Sequence, residues 1–216
     1  TSLGCVLVSA LLAFGIFTII KNRNVATTGN VLGVSWYNET DKTFTISTVE
    51  ELYEFSELSK FYDFKGQTIK LDADITVNEG NAKDWAEKAP KKKWRPINKF
   101  AGTFDGQGHT ISGLYAKTSG TAFAMFTNTS QSCTIKNMKL VNTYFESRGL
   151  GGLATFASIG GGKFYQLYSD AILECKGEKV AGIMSMVKKA AKFEECWFDG
   201  EIHTSNRDAG GLLDDI

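Results

Sequence analysis

The pattern of apolar and polar positions changes character along the chain. Leu3 to Ile20 is an uninterrupted apolar run of 18 residues without a charge. It predicts an N-terminal apolar helix within residues 1–24, at the lower length for crossing a bilayer and long for a signal-peptide core. Two readings stay open: a secretory signal cut between Ala26 and Gly33, or an uncleaved membrane anchor, which Lys21 and Arg23 favour slightly. Residues 25–42 read as a polar connector carrying Trp36 and Tyr37. Thr43 to Ile46 alternates as a short strand. Thr48 and Glu51 have the spacing of a capping box, and Val49, Leu52, Phe55 and Leu58 recur at helical spacing. A helix is therefore predicted over 49–59. Residues 68–77 alternate again, as one long strand or a strand pair. Residues 78–93 form a polar, Lys-rich insertion.

Beyond residue 120 the pattern repeats. FAMF at 123–126, GGLA at 151–154, AGIM at 181–184 and AGGL at 209–212 align on 124, 152, 182 and 210. Interleaved with them, IKNMKL at 135–140, FYQLYS at 164–169 and FEECWF at 193–198 start 29 residues apart. Two markers with one period define a repeat architecture. No amphipathic helix fits inside a repeat, which excludes helical arrays, and the period is too short for a propeller blade of roughly 40 residues. Short strands separated by Gly, Asn, Ser and Lys fit the coils of a parallel β-helix, an all-β solenoid. The 49–59 helix would cap its N-terminal end, and Gly152 and Gly182 would permit tight corners or close stacking.

Composition changes this picture little. Lys plus Arg equals Asp plus Glu, so the net charge is zero, which argues against nucleic acid as a partner. The four cysteines, Cys5, Cys133, Cys175 and Cys196, make no CxxC pair and have no histidine cluster beside them, so zinc is not expected. They read as buried thiols, with a Cys175–Cys196 bridge left open should the two fall on adjacent coils.

The leader carries ISTVEEL at 46–52, TIKLDADI at 68–75, WRPI at 94–97 and FAGTFDGQGHTISGL at 100–114, and the repeats carry GLGG at 149–152, FEECWFDG at 193–200 and AGGL at 209–212. In these motifs the chain resembles bacterial surface proteins with GLUG repeats. The resemblance covers residues 35 to 216, and the repeat near Phe123 departs from the Gly-Gly pattern. It implies a right-handed parallel β-helix over 43–216 in a large, multi-module surface or secreted protein, with no catalytic residues in the repeats. The chain stops at Ile216 early in a new coil, so a C-terminally truncated solenoid is expected.

Candidate chemistry is sparse. Asp105 to His109 reads as a tight Gly turn. Asp72 and Asp74 share a face, as do residues two apart on any strand, but the pattern is that of a solvated face. No nucleophile elbow or paired-carboxylate site stands out, so no enzyme activity and no cofactor are expected. Lys91, Lys92, Lys93 and Arg95, with Lys88 nearby, form a basic cluster that reads as a solvated loop or as a binding patch for an anionic glycan or wall polymer. Trp85, Trp94 and Trp197 would stack on sugars if exposed, which makes Trp85 the candidate there. Trp94 and Trp197 lie in strand-like segments and are expected to pack. The expected function is a non-catalytic scaffold or adhesion module at the cell surface or secreted from a bacterium. Its partners would be a glycan, the cell wall or a host surface protein, and the membrane if the first helix stays. The alternatives are an accessory region of a larger surface peptidase or polysaccharide-degrading enzyme, or a β-helix that itself binds or cleaves glycans.

Overall fold

The computed structural model describes residues 33–120, 122–205 and 208–215. The predicted apolar helix and Cys5 lie outside the described residues. Among the described residues no helix is long and apolar enough to cross a membrane.

The chain folds as a parallel β-solenoid of about six turns. Strands β1 (Thr43–Ile46), β2 (Thr68–Leu71), β4 (Thr103–Asp105), β8 (Thr134–Val141), β11 (Ala157–Ser169), β14 (Met184–Phe198) and β17 (Leu213–Asp215) stack in that order in one long sheet. Two short strands join it, β3 (Ile75–Thr76) beside β5 (Thr110–Ser112), while β7 (Phe126–Asn128) pairs with β11. A second sheet stacks β6 (Tyr115–Thr118), β9 (Tyr144–Ser147), β12 (Ile172–Cys175) and β15 (Glu201–Thr204). A third stacks β10 (Gly152–Ala154), β13 (Lys179–Ala181) and β16 (Asp208–Gly210). Each strand pairs in parallel with a strand of the next coil, so residues of one coil find their neighbours about one repeat away.

The predicted column Ile135, Phe164, Phe193 is the observed register. Phe164 and Phe193 stack with centroids 4.8 Å apart. The second marker finds the coil but misses the register. Phe123 pairs with Leu153, Leu153 with Val180, and Val180 with Ala209. Gly152 thus stands opposite Lys179, three residues before Gly182. Small residues mark a corner, where several positions tolerate them, and so do not fix which one faces which. Close stacking at Gly182 is real: a Cβ there would lie 2.3 Å from both the Phe198 ring and the Gly211 carbonyl oxygen.

Residues 68–77 resolve into a strand pair, β2 and β3. Helix α1 (Val49–Leu58) starts with the predicted box: Thr48 Oγ1 accepts from the Glu51 amide, and Glu51 Oε2 accepts from the Thr48 amide. Its buried face, Leu52, Phe55 and Leu58, joins the solenoid core; Phe55 packs on Phe64, Phe100 and Phe104. The expected polar connector is part of this packing. Trp36 and Tyr37 lie against Phe44, and Tyr37 is buried.

The insertion departs most from expectation. Residues 78–93 are no free loop: a 3-10 turn at Ala82–Asp84 lies on the outside of the second sheet. There Ala82 and Trp85 bury the outward side chains Tyr115, Tyr144 and Ile172. The Asn142 side chain fixes it by accepting from the Ala82 amide and donating to the Gly80 carbonyl. Lys117 donates to the Ala86 carbonyl, and Lys83 reaches Glu201 at 3.2 Å.

Candidate functional site

Three consecutive coils of the long sheet, those of β8, β11 and β14, bend at a residue in the left-handed conformation. Asn137, Gln166 and Glu195 have φ of 56°, 52° and 52°, and they recur at the coil period. None is glycine, and a non-glycine residue in that region is uncommon, with Asn the best tolerated. In the coil before, Asp105 to His109 takes the same bend with two extra residues. Thr103 to Asp105 pairs with Thr134 to Lys136, and Thr110 pairs with Lys139. Gln107 there has φ 52°. The Gly turn read from the sequence is therefore the first rung of a bend that continues through four coils.

Side chains on this bend bond along the stack. Asn137 Nδ2 donates to Asp105 Oδ1 at 3.0 Å, and Gln166 Nε2 donates to Glu195 Oε2 at 2.8 Å. The Gln107 amide also donates to Asp105 Oδ1, and Lys136 Nζ lies 3.1 Å from Oδ2. Burial alone would raise the Asp105 carboxyl, but the Gln107 amide, Asn137 and Lys136 outweigh it and hold it below the ordinary range. A carboxylate so held is a poor proton donor at neutral pH.

Two residues past the bend the pleat points outward, giving the column Lys139, Tyr168, Trp197. Lys139 is exposed, Tyr168 half-buried and Trp197 59% exposed. Trp197 was expected to pack; it does not, because its strand neighbours Cys196 and Phe198 take the inward positions. Bend and column together line an open depression of about 820 Å³, with Asp105, Gln107, Asn137, Gln166 and Glu195 on one side and Lys139, Tyr168 and Trp197 on the other. A hollow edged by aromatic faces and by amide and carboxylate groups can bind a ligand with both apolar faces and hydroxyls.

The residues singled out from sequence do not gather here. Contrary to expectation, Trp85 is 3% exposed and edge-on to Tyr115, so it offers no face to a ligand. Lys91, Lys92 and Lys93 are exposed, as read. Arg95 is engaged elsewhere, 2.8 Å from Glu57 Oε1 and over the Tyr53 ring. Asp72 and Asp74 are solvated, and Asp74 accepts from the Thr110 amide and faces His109 Nδ1 at 3.2 Å. Cys175 and Cys196 are not bridged to each other; the Cys175 thiol meets the Lys179 carbonyl and the Cys196 thiol meets the Phe164 carbonyl. Cys175 lies in the second sheet and Cys196 in the long sheet, which separates them. Among the described residues no group of His, Cys, Asp and Glu is placed to hold a metal ion.

Under the insertion lies a second polar cluster. Glu146 is 4% exposed and meets Lys176, Arg148 and Lys117 at 3.0, 3.2 and 3.3 Å. Burial raises its carboxyl, but the three cations outweigh that and bring it to about 2. On the same outward column His203 Nδ1 lies 2.6 Å from Glu174, whose carboxylate raises the imidazole. These groups are paired with one another and close the sheet surface.

The fold and the depression define a parallel β-solenoid with an open hollow on the bend of its long sheet. Neither a family model, nor a curated protein, nor a solved structure matches the chain.

Proposed function

We propose that this chain is a non-catalytic adhesion module of a bacterial surface or secreted protein, of the kind that carries GLUG repeats. Its hand would be the right-handed one that twisted parallel strands favour. It would bind a glycan, wall component or host surface through the bend of the long sheet. The observation that carries this reading is the outward column Lys139, Tyr168, Trp197 beside the bonded bend Asn137, Gln166, Glu195. Tyr168, flanked by paired coils on both sides, holds an outward, partly exposed ring in the same column, which a solenoid that only spaces other modules does not need. The ionised Asp105 favours holding a ligand over protonating it. The test is retention of the folded chain on immobilised polysaccharides, wall sacculi and host cells, with released reducing ends assayed in parallel. Retention without release is expected. Release of reducing ends would replace this reading with that of a glycan-cleaving β-helix. Retention that survives Trp197→Ala would move the adhesive face elsewhere, with the exposed Lys91, Lys92 and Lys93 as the next surface.

A further inference from the structure

We infer that the occupant of the bend hollow is an uncharged polysaccharide chain lying along the stacking direction, across the coils; this rests on the adhesive reading above. Its direction follows from the register. Tyr168 and Trp197 occupy one column on neighbouring coils, and Lys139 stands one coil further. Neighbouring strands are about 4.8 Å apart. A chain laid across the coils meets both rings in succession, whereas a chain laid along one strand meets only one. The bend residues run parallel to this column and present amide and carboxylate oxygens on its other side. Sugar rings have an apolar face of C–H groups and an edge of hydroxyls. The rings suit the first and the bend suits the second.

The neutral character follows from the charges facing the hollow. Asp105 and Glu195 line it as anions and Lys139 as a cation, and Lys136 is spent on Asp105. Two anions against two cations leave no surplus for a polyanion. Asp199 adds a further carboxylate, hydrogen-bonded to Tyr168, and Asp74 faces the field of Lys139. An extended peptide fits less well. Its main chain would seek an unpaired strand edge, and among the described residues beside the hollow that is Phe193 to Phe198 of β14, which pair with β11 only; a peptide added there would lie along the strand and meet the Trp197 ring alone.

The experiment is affinity electrophoresis of the folded chain through gels holding mixed-linkage glucan, glucomannan or dextran, and through gels holding polygalacturonate or heparin, at low and high salt. Retardation by a neutral polymer is expected, changing less than about twofold with salt. Trp197→Ala should weaken it roughly tenfold or more with the thermal midpoint unchanged. Preference for polygalacturonate or heparin, falling with salt, overturns the neutral-chain inference while leaving the adhesive reading intact. Retardation by none of these polymers, with binding to wall or host protein, also overturns it. Binding to nothing overturns both.

Discussion

Two aromatic stacks stand on the outside of the same solenoid, one covered and one open. On the second sheet, Tyr115 and Tyr144 stack with centroids 5.9 Å apart, and the insertion lays Trp85 and Ala82 over them. On the long sheet, Tyr168 and Trp197 occupy equivalent outward positions and nothing described lies across them. The same pleat rule put both pairs outside. The difference is sixteen residues of insertion, 78–93, spent on one face alone. Covered aromatic area is a stabilising device here, and uncovered area is what remains for a ligand.

Exchanging the two tryptophans breaks the comparison most sharply. Trp85→Ala removes a buried indole and should cost about 3–5 kcal/mol, read as a large loss of denaturant midpoint, with ligand binding by the surviving fold unaltered. Trp197→Ala should change stability by no more than about 0.5 kcal/mol while binding is lost. A large stability loss from Trp197→Ala would mean that the open stack is structural too.

The covered face also depends on acid. The Glu146 carboxyl is depressed in the folded chain, so its contribution is complete above its ordinary value of 4.5 and is lost as pH falls toward about 2. Glu146→Gln should cost about 1–3 kcal/mol at neutral pH and flatten the acid limb of a stability-against-pH curve. An unchanged acid limb would show that other carboxylates govern it. The open face has a different weakness, in its backbone. Gln166 sits at φ 52°, so Gln166→Val should destabilise by about 1–2 kcal/mol more than Gln166→Gly in chemical unfolding. Equal effects would contradict the left-handed bend. The smallest effect belongs to His203. Its raised value means that its pairing with Glu174 stabilises fully below about 6.5 and fades as pH rises through the folded value. His203→Gln should remove that alkaline slope from the thermal midpoint.

What the sequence revealed follows the same division. The inward column Ile135, Phe164, Phe193 was legible because one large apolar residue per coil is hard to replace. The corner column was not, since Gly, Ala and Ser substitute freely there. The capping box at Thr48 and Glu51 was legible because it is local. The bend at Asn137, Gln166 and Glu195 was hidden: a left-handed turn is expected at glycine, and these rungs have none. Only the first rung, between Gly106 and Gly108, signalled a turn. Trp85 was misassigned because its partners, Tyr115 and Tyr144, lie 30 and 59 residues away and are recognised only after the coils stack. Trp197 was misassigned by its strand context, although the alternation of Cys196, Trp197 and Phe198 already pointed it outward.

The central claim is that the open stack is the binding surface, and intrinsic fluorescence reads it directly. Trp197 is exposed, Trp85 and Trp94 are buried, and the half-buried Trp36 packs on Phe44 in the first coil away from the bend, so a ligand seated on the bend should desolvate one indole above the others. Titration with a soluble neutral polysaccharide is predicted to give a saturable blue shift that is unchanged in Trp85→Phe and absent in Trp197→Ala. A shift that persists in Trp197→Ala, or saturable binding detected by calorimetry with no shift in the unaltered chain, would contradict the account.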